Sequence, residues 1–538
     1  MKRMKNFLND RLPAGKTWIF AVLAGLMLVT GACSEENLYL LDPNRESADT
    51  YWESEDDYRL GLTSAYSTFR VPGYFSRWFH VLMISRSDEG WSESPNPYFQ
   101  AYSNFNIISY NDDNAEGIIQ PWQLIYRQIF YANQVIDNMN DRGMDLFEDK
   151  TEAEHILGQA YFLRGVAYWY LGGSYAKGPQ MINSTGNGEI IEQEGIFLQS
   201  LSDFKEAEKY LPETWGSADV GRASLGSVRG MLVKVYGQLA GYYARPTVGN
   251  DAQSQEYWQL AKDVMEDIFT MDYSLVPDYK DNFTMANENN SESLFEIQFN
   301  EGLHNGKEMG AHRPKFFGLV VDGGAWADAY PREWLLDEFM LEADKDGNVD
   351  PRLDATLFYE KPGDTTLLYG KTWEQWNLTE DYRLTQPCYW RKYTRVDTHD
   401  AEDYSSGINF RVVRLADIYL MYAEALNELN GDRSMAVEYL NKVRRRVNMN
   451  DLDPANFQSY DALHEQIMHD RLMEMCGEST RWYDLDRWGI LHDQVEINKM
   501  ANERDDEFSN FELGVSHRYP IPNREISLYP GLTQNEGY

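Results

Sequence analysis

Residues 415–447 read LADIYLMYAEALNELNGDRSMAVEYLNKVRRRV. Leu415, Ile418, Tyr419, Tyr422, Ala423, Leu426 and Leu429 recur at steps of three and four, which lays one apolar stripe along a helix. Gly431 is expected to stop that helix. After a short polar turn Ala436, Leu440, Val443 and Val447 repeat the stripe, and Arg444, Arg445 and Arg446 are expected to fill much of the opposite face. Two helices joined this tightly lie antiparallel, and each stripe is too wide for its partner alone to cover. Further hairpins should therefore stack on this one.

Working outward, the same period recurs. Ser54 is a candidate cap for a helix with Tyr58, Leu62, Ala65 and Phe69 inward. Pro121 suits a first helical turn, and its helix is expected to run to about Asn140. Ile156, Ala160, Leu163, Ala167 and Leu171 form the next stripe, which Gly172 and Gly173 should terminate. Shorter stripes follow at Leu201 to Leu211, Leu225 to Leu239 and Tyr257 to Ile268. Successive helical pairs are the pattern of tetratricopeptide repeats, although no copy carries the full consensus. The expected fold is mainly α: tetratricopeptide-like hairpins forming a scaffold, with an irregular, loop-rich ligand lobe containing a few short strands.

Two stretches lack a helical period. Residues 70–117 are rich in Pro, Gly and aromatic rings, and stretches this long are more often functional than connective. Residues 272–410 are equally aromatic; within them Phe295, Ile297 and Phe299 alternate with Glu296 and Gln298 as in a short strand. The tail to Tyr538, rich in Pro and Gly, persists only by packing on the body. The organisation expected is a signal segment 1–32, a tether 33–50 and a helical-repeat part 51–271 with the irregular insert 70–117. The irregular lobe 272–410 follows, then a helical and tail part 411–538 that continues the fold of 51–271.

The chain has 538 residues and a formal net charge of -37, which opposes nucleic acid and anionic membrane surfaces. Five basic residues between Lys2 and Lys16 precede an apolar run from Trp18 to Val29, too short to span a bilayer and suited to a signal peptide. The run ends in Thr30-Gly31-Ala32-Cys33, which resembles a bacterial lipobox with Thr30 in place of the usual Leu, and makes Cys33 the expected lipidation site. Ser34-Glu35-Glu36 looks like the surface-export signal of Bacteroidota lipoproteins. Cys388 and Cys476 either pair or stay free; their spacing does not choose.

Motifs for chemistry are sparse. His464 and His469 are five apart, about 140° around a helix, and cannot face one zinc ion. Asp344, Asp346 and Asn348 have the acidic spacing of a calcium loop, but Val349 and Ala355 stand where an EF-hand needs Gly and Glu. A polar turn is the better reading there, with a non-EF calcium site as the alternative. No Walker, nucleophile-elbow or Rossmann pattern occurs, and with 86 acidic residues carboxylate pairs arise by chance. Between Arg471 and Gly489, Arg and acidic residues interleave around Trp482 and Trp488, an arrangement that more often fixes helix ends than catalyses.

That last segment carries a family resemblance. Residues 470–489 match the pattern E-R-x-x-E-L-x-F-E-G-x-R-W-x-D-L-x-R-W-G of the SusD/RagB-like outer-membrane nutrient-binding lipoproteins, with Asp470, Met475, Gly477 and Ser479 as departures. Tyr519-Pro520-Ile521-Pro522 and Gln534-Asn535-Glu536-Gly537-Tyr538 resemble the family's ending, with Glu536 in place of Pro. Upstream, Tyr131-Ala132-Asn133, Ala160-Tyr161-Phe162-Leu163-Arg164 and Gly221-Arg222-Ala223-Ser224 look like its other landmarks. The resemblance implies an outer-membrane, cell-surface lipoprotein that captures oligosaccharide for a SusC-like TonB-dependent transporter, with no catalysis and no cofactor. A surface glycoside hydrolase and a peptide- or small-metabolite-binding member are the alternatives.

The family's landmarks are structural, so the ligand site is argued from sugar chemistry. A sugar ring has an apolar C–H face and a hydroxyl rim, and binding it takes flat aromatic platforms edged with amides, carboxylates or Arg. Asp88, Trp91 and Asn96 meet that recipe in the first irregular stretch, and His312, Trp326 and Tyr330 in the second. Trp91 and Trp326 are the expected platforms.

Overall fold

The apolar stripes become a stack of paired helices. The computed structural model describes residues 51–94, 96–107, 116–304, 307–308, 310–321, 325–377, 386–395 and 406–538; the signal segment, Cys33 and the tether lie outside the described residues. The chain divides into two compact units, 1–57 and 58–538. In chain order the first half contributes α1 (Glu55–Ser67), α2 (Trp78–Ser85), β1 (Gly90–Trp91), α3 (Pro97–Ser103), α4 (Glu116–Asn138), α5 (Lys150–Ser174), α6 (Gln193–Ala207), α7 (Leu225–Ala244) and α8 (Asp251–Ile268). The irregular lobe follows with β2 (Ser293–Ile297), α9 (Arg313–Phe317), β3 (Tyr330–Pro331), α10 (Trp334–Met340), β4 (Leu357–Tyr359) and β5 (Cys388–Trp390). Then come β6 (Phe410–Arg414), α11 (Leu415–Glu428), α12 (Arg433–Arg446), α13 (Tyr460–Met475), α14 (Arg481–Arg487) and α15 (Gln494–Glu503).

Neighbouring helices pack as α4 on α5, α5 on α6, α7 on α8 and α11 on α12, so the fold is mainly α and built from hairpins. Strands occur in antiparallel pairs: β1 with β3, β2 with β6, and β4 with β5.

Several local expectations are corrected. The turn between α11 and α12 is made by Asn430, which takes the left-handed φ of 51°, while the Gly431 N–H caps the Leu426 carbonyl at 2.7 Å. Pro121 lies inside α4, which begins at Glu116; its missing N–H costs the helix only the bond to the Gly117 carbonyl in the first turn, and the next carbonyl, that of Ile118, accepts the Tyr175 hydroxyl at 2.5 Å. Gly172 and Gly173 do not end α5: a Cβ on Gly172 would come within 2.7 Å of the Phe197 ring, and one on Gly173 would strike Tyr483, so both glycines admit aromatic neighbours. Within the first irregular stretch α2 is a true helix that shows no stripe, because all 8 of its residues are buried. Cys388 and Cys476 are free, buried thiols, and burial raises both above their ordinary pKa.

The largest correction concerns α12. Of the three arginines only Arg445 points outward; the side chains of Arg444 and Arg446 are buried, Arg444 on Asp470 at 2.9 Å and Arg446 on Glu292 and Glu474. They join an interior network. Arg414, at the β6–α11 junction, donates to Glu292 at 2.8 Å, to Glu474 at 2.5 Å and to Glu478 at 2.7 Å, and Arg352 approaches Glu474 at 3.5 Å. Asp417 takes Lys234 at 2.8 Å and Arg471 at 2.9 Å, while Asp486 takes Arg245 at 2.8 Å. The interleaved motif of residues 470–489 is thus the structural clamp its pattern suggested.

Burial alone would raise the pKa of Glu474, Asp417 and Asp486, but their cationic partners override it and hold all three well below the usual carboxylate range. Carboxylates depressed in the fold stabilise it above their unfolded pKa, near 4, and that support is lost as pH falls further. Glu474→Ala should take one buried partner from each of Arg414, Arg446 and Arg352 and cost about 3–5 kcal/mol. Urea denaturation at pH 7 checks this, and a variant midpoint equal to the wild type would refute it.

Candidate functional site

The two irregular stretches meet in space. β1 from the first pairs with β3 from the second and sets Trp91 opposite Tyr330, whose rings lie 5.2 Å apart. Just beyond, the Ser92 hydroxyl donates to the Asp328 carbonyl and the Ser94 hydroxyl to the Asp328 carboxylate, both at 2.5 Å. Asp328 is also approached by Arg77 at 3.6 Å, and the Arg77 guanidinium lies 3.6 Å from the centroid of Phe316. Burial raises the Asp328 carboxyl, offset by the Ser94 and Arg77 contacts.

Trp326 stands next to this hub. Residues 326–328 run alongside α9: the Trp326 N–H donates to the Lys315 carbonyl and the Asp328 N–H to that of Phe316, each at 2.7 Å. The Trp326 ring meets Phe316 edge to face at 5.2 Å with Lys315 Nζ 5.1 Å above it, yet 47% of the residue remains in solvent. Trp326 is thus held at its backbone and against Phe316 while nearly half of its surface stays in solvent. Trp91 is half-buried, with the Arg332 guanidinium 5.6 Å from its ring.

The remaining sequence candidates sort differently. Asn96 is half-buried, and its side chain accepts the Tyr98 N–H at 3.1 Å to cap α3. His312 lies at the opposite end of α9 from Phe316, its N–H donated to the Ser76 carbonyl at 2.9 Å. Tyr330 is 1% exposed, packed against Trp91 and Tyr389, so its ring has no open face for a ligand. Asp88 is fully buried and clasped by Arg481 through two bonds of 2.8 Å, with Arg504 at 2.9 Å. Burial alone would raise its pKa, but Arg481 and Arg504 bring it down to about 2. It anchors β1 from below and offers nothing to a ligand.

Arg77, Ser92, Ser94, Lys315 and Asp328 were missed. The partners of Arg77, Ser92, Ser94 and Asp328 lie far away in the chain, and no local spacing marks Arg77 or Asp328. Elsewhere, Asp344 Oδ1 accepts the N–H groups of Asp346 at 2.9 Å and Asn348 at 2.8 Å, closing a turn. Among the described residues no group of three or more His, Cys, Asp or Glu side chains is arranged to hold a metal.

Glu89 couples this region to pH. It is buried, accepts the Gly477 N–H at 3.3 Å, and burial lifts its carboxyl to about 8, against the pull of Arg481 and with the push of Asp88. It is protonated in the fold at neutral pH and ionised on unfolding, so its support is full below about 4.3 and is lost as pH rises toward 8. Wild-type melting temperature should therefore drop between pH 6 and 9, and less so for Glu89→Gln. Parallel melting profiles for the two proteins would refute this assignment.

Comparison with known proteins places the chain. A family model described as "SusD family" matches residues 291–538, and one described as "Starch-binding associating with outer membrane" matches residues 85–237. SusD-like protein P25 of Formosa agariphila is 26% identical over 96% of this chain and 99% of its own length. The starch-binding protein SusD of Bacteroides thetaiotaomicron is 23% identical over 73% of this chain and 75% of its own. Among solved structures, a SusD superfamily protein from Bacteroides vulgatus superposes with a TM-score of 0.75 at 25% identity, covering 91% of this chain and 100% of that one. With the interleaved Arg-acid motif buried as the clamp of a hairpin scaffold, the chain belongs to the SusD/RagB-like family.

Proposed function

We propose that the protein is a non-catalytic, cell-surface glycan-binding lipoprotein that captures oligosaccharide and hands it to a SusC-like TonB-dependent outer-membrane transporter. The observation that carries this reading is the exposed Trp326 ring beside the Arg77–Asp328 hub, with Trp91 on the strand that leads to it. Such an arrangement offers stacking faces for sugar C–H groups and, beside them, the cationic groups of Lys315, Arg77 and Arg332 for the hydroxyl rim. The starch-binding relative and the outer-membrane description of the matching family model support the same ligand class and place. Lipidation at Cys33 would provide the anchor. Binding rather than hydrolysis is favoured because Asp328 is engaged by Ser94 and Arg77, and Asp88 by Arg481, whereas a glycosidase needs two carboxylates free to flank the scissile bond.

Trp326→Ala removes the exposed ring and should weaken binding of the oligosaccharide ligand about tenfold, since aromatic contacts of this kind are worth about 1–1.5 kcal/mol. The melting temperature should stay unchanged. Calorimetric titration with a panel of neutral oligosaccharides, with reducing ends assayed afterwards, checks both halves: undiminished affinity rules out the platform, and released product rules out a purely binding role.

A further inference from the structure

A second recess, of about 410 Å³, lies in the irregular lobe and shares no residue with the aromatic patch. Its lining includes Lys280, Phe283, Met285, Asp354, Arg391 and Arg395. Its volume falls within the range of sites that hold small ligands. Arg313 at the start of α9 donates to the Ile408 carbonyl at 2.6 Å, and Ile408 is part of the recess wall. The same five-residue helix that braces Trp326 through Phe316 is therefore anchored to this recess, and spans about 7.5 Å.

The charges in the recess do not cancel. Asp354 is paired with Lys361 and accepts the Tyr359 hydroxyl at 3.0 Å, and Arg395 is paired with Glu301. Lys280 and Arg391 form no salt bridge among the described residues. Arg391 lies 5.4 Å from the Phe358 ring centroid, and Lys280 is exposed at the rim. Phe283, Ala355 and Ile408 supply a buried apolar floor. Asp354 interacts with Lys280 and Asp364 with Arg391 only at longer range, and among the described residues neither cation is closed off by a direct ion pair. A concave apolar floor edged by two cations that lack a direct salt bridge among the described residues is complementary to a ring that carries an anion.

We propose that this recess is a subsite for an acidic sugar residue, a uronate or a sulfate ester, whose anion meets Lys280 and Arg391 while its C–H face rests on Phe283. The inference builds on the glycan-binding reading. It also reverses locally what the net charge suggests, since an acidic surface as a whole repels polyanions.

The test is calorimetric titration of the full mature chain with tetragalacturonate, sulfated laminarihexaose, and neutral laminarihexaose and maltohexaose. The double variant Lys280→Ala/Arg391→Ala should weaken at least one acidic oligosaccharide by about tenfold or more, in line with the loss of charge-assisted hydrogen bonds, and leave neutral ligands unaffected. Whichever acidic arm responds identifies carboxylate or sulfate as the anion. Arg391→Gln, which keeps the side chain's bulk, should show a smaller loss in the same arm, and guards against a double variant that fails to fold. Acidic oligosaccharides bound equally by wild type and variants would overturn the subsite, as would a wild type that binds only neutral ones. A wild type that binds none of the four would overturn the glycan reading and the subsite together.

Discussion

A guanidinium taken out of water has to be matched on every side, and Arg414 imposes that demand at the centre of this molecule. Glu292 reaches it from the segment before β2, and Glu474 and Glu478 from the end of α13 and the turn that follows. Arg446 of α12 and Arg352 of the irregular lobe then share Glu474. Segments remote in sequence can meet these bonds in only one relative arrangement. Apolar stripes bring helices together but tolerate sliding; oriented ion pairs do not, and they fix the register of the hairpin stack against the lobe.

The surface proposed to meet the ligand is attached to that interior and not to the outer helices. Arg481, in the same motif, holds Asp88; two residues on, β1 begins and presents Trp91. β1 pairs with β3, and Asp328 just ahead of β3 is gripped by Ser92 and Ser94. A continuous path of strong polar contacts thus runs from the buried charges to the neighbourhood of Trp326. The exposed ring sits on a rigid mount, which lowers the ordering cost of binding.

This arrangement explains what could be read beforehand. Helices with one wet face announced themselves, as α8 and α12 did, whereas α5, α7 and α11 were legible from spacing although they are buried along most of their length. The helix α2, buried all round, had no stripe to show. Arg444 and Arg446 were assigned to solvent because periodicity equates charge with exposure, a rule that fails where carboxylates from other segments wait inside. Trp91 and Trp326 were singled out by their chemistry, and the structure leaves Trp91 half-buried and Trp326 47% exposed. Asp88 met the same chemical recipe but is consumed by Arg481, and the Arg77–Asp328 pair had no local signal, since only the tertiary fold brings its members together.

The two unpaired thiols have a consequence of their own. Cys388 and Cys476 sit within the packed body, and protein burial keeps both in the neutral, unreactive form. This part of the chain completes its fold without an oxidant. A small thiol-specific reagent would have no thiolate to attack until the surrounding core opens, so the rate of labelling at these positions would count openings of the interior and serve as a built-in clock for its rarest excursions.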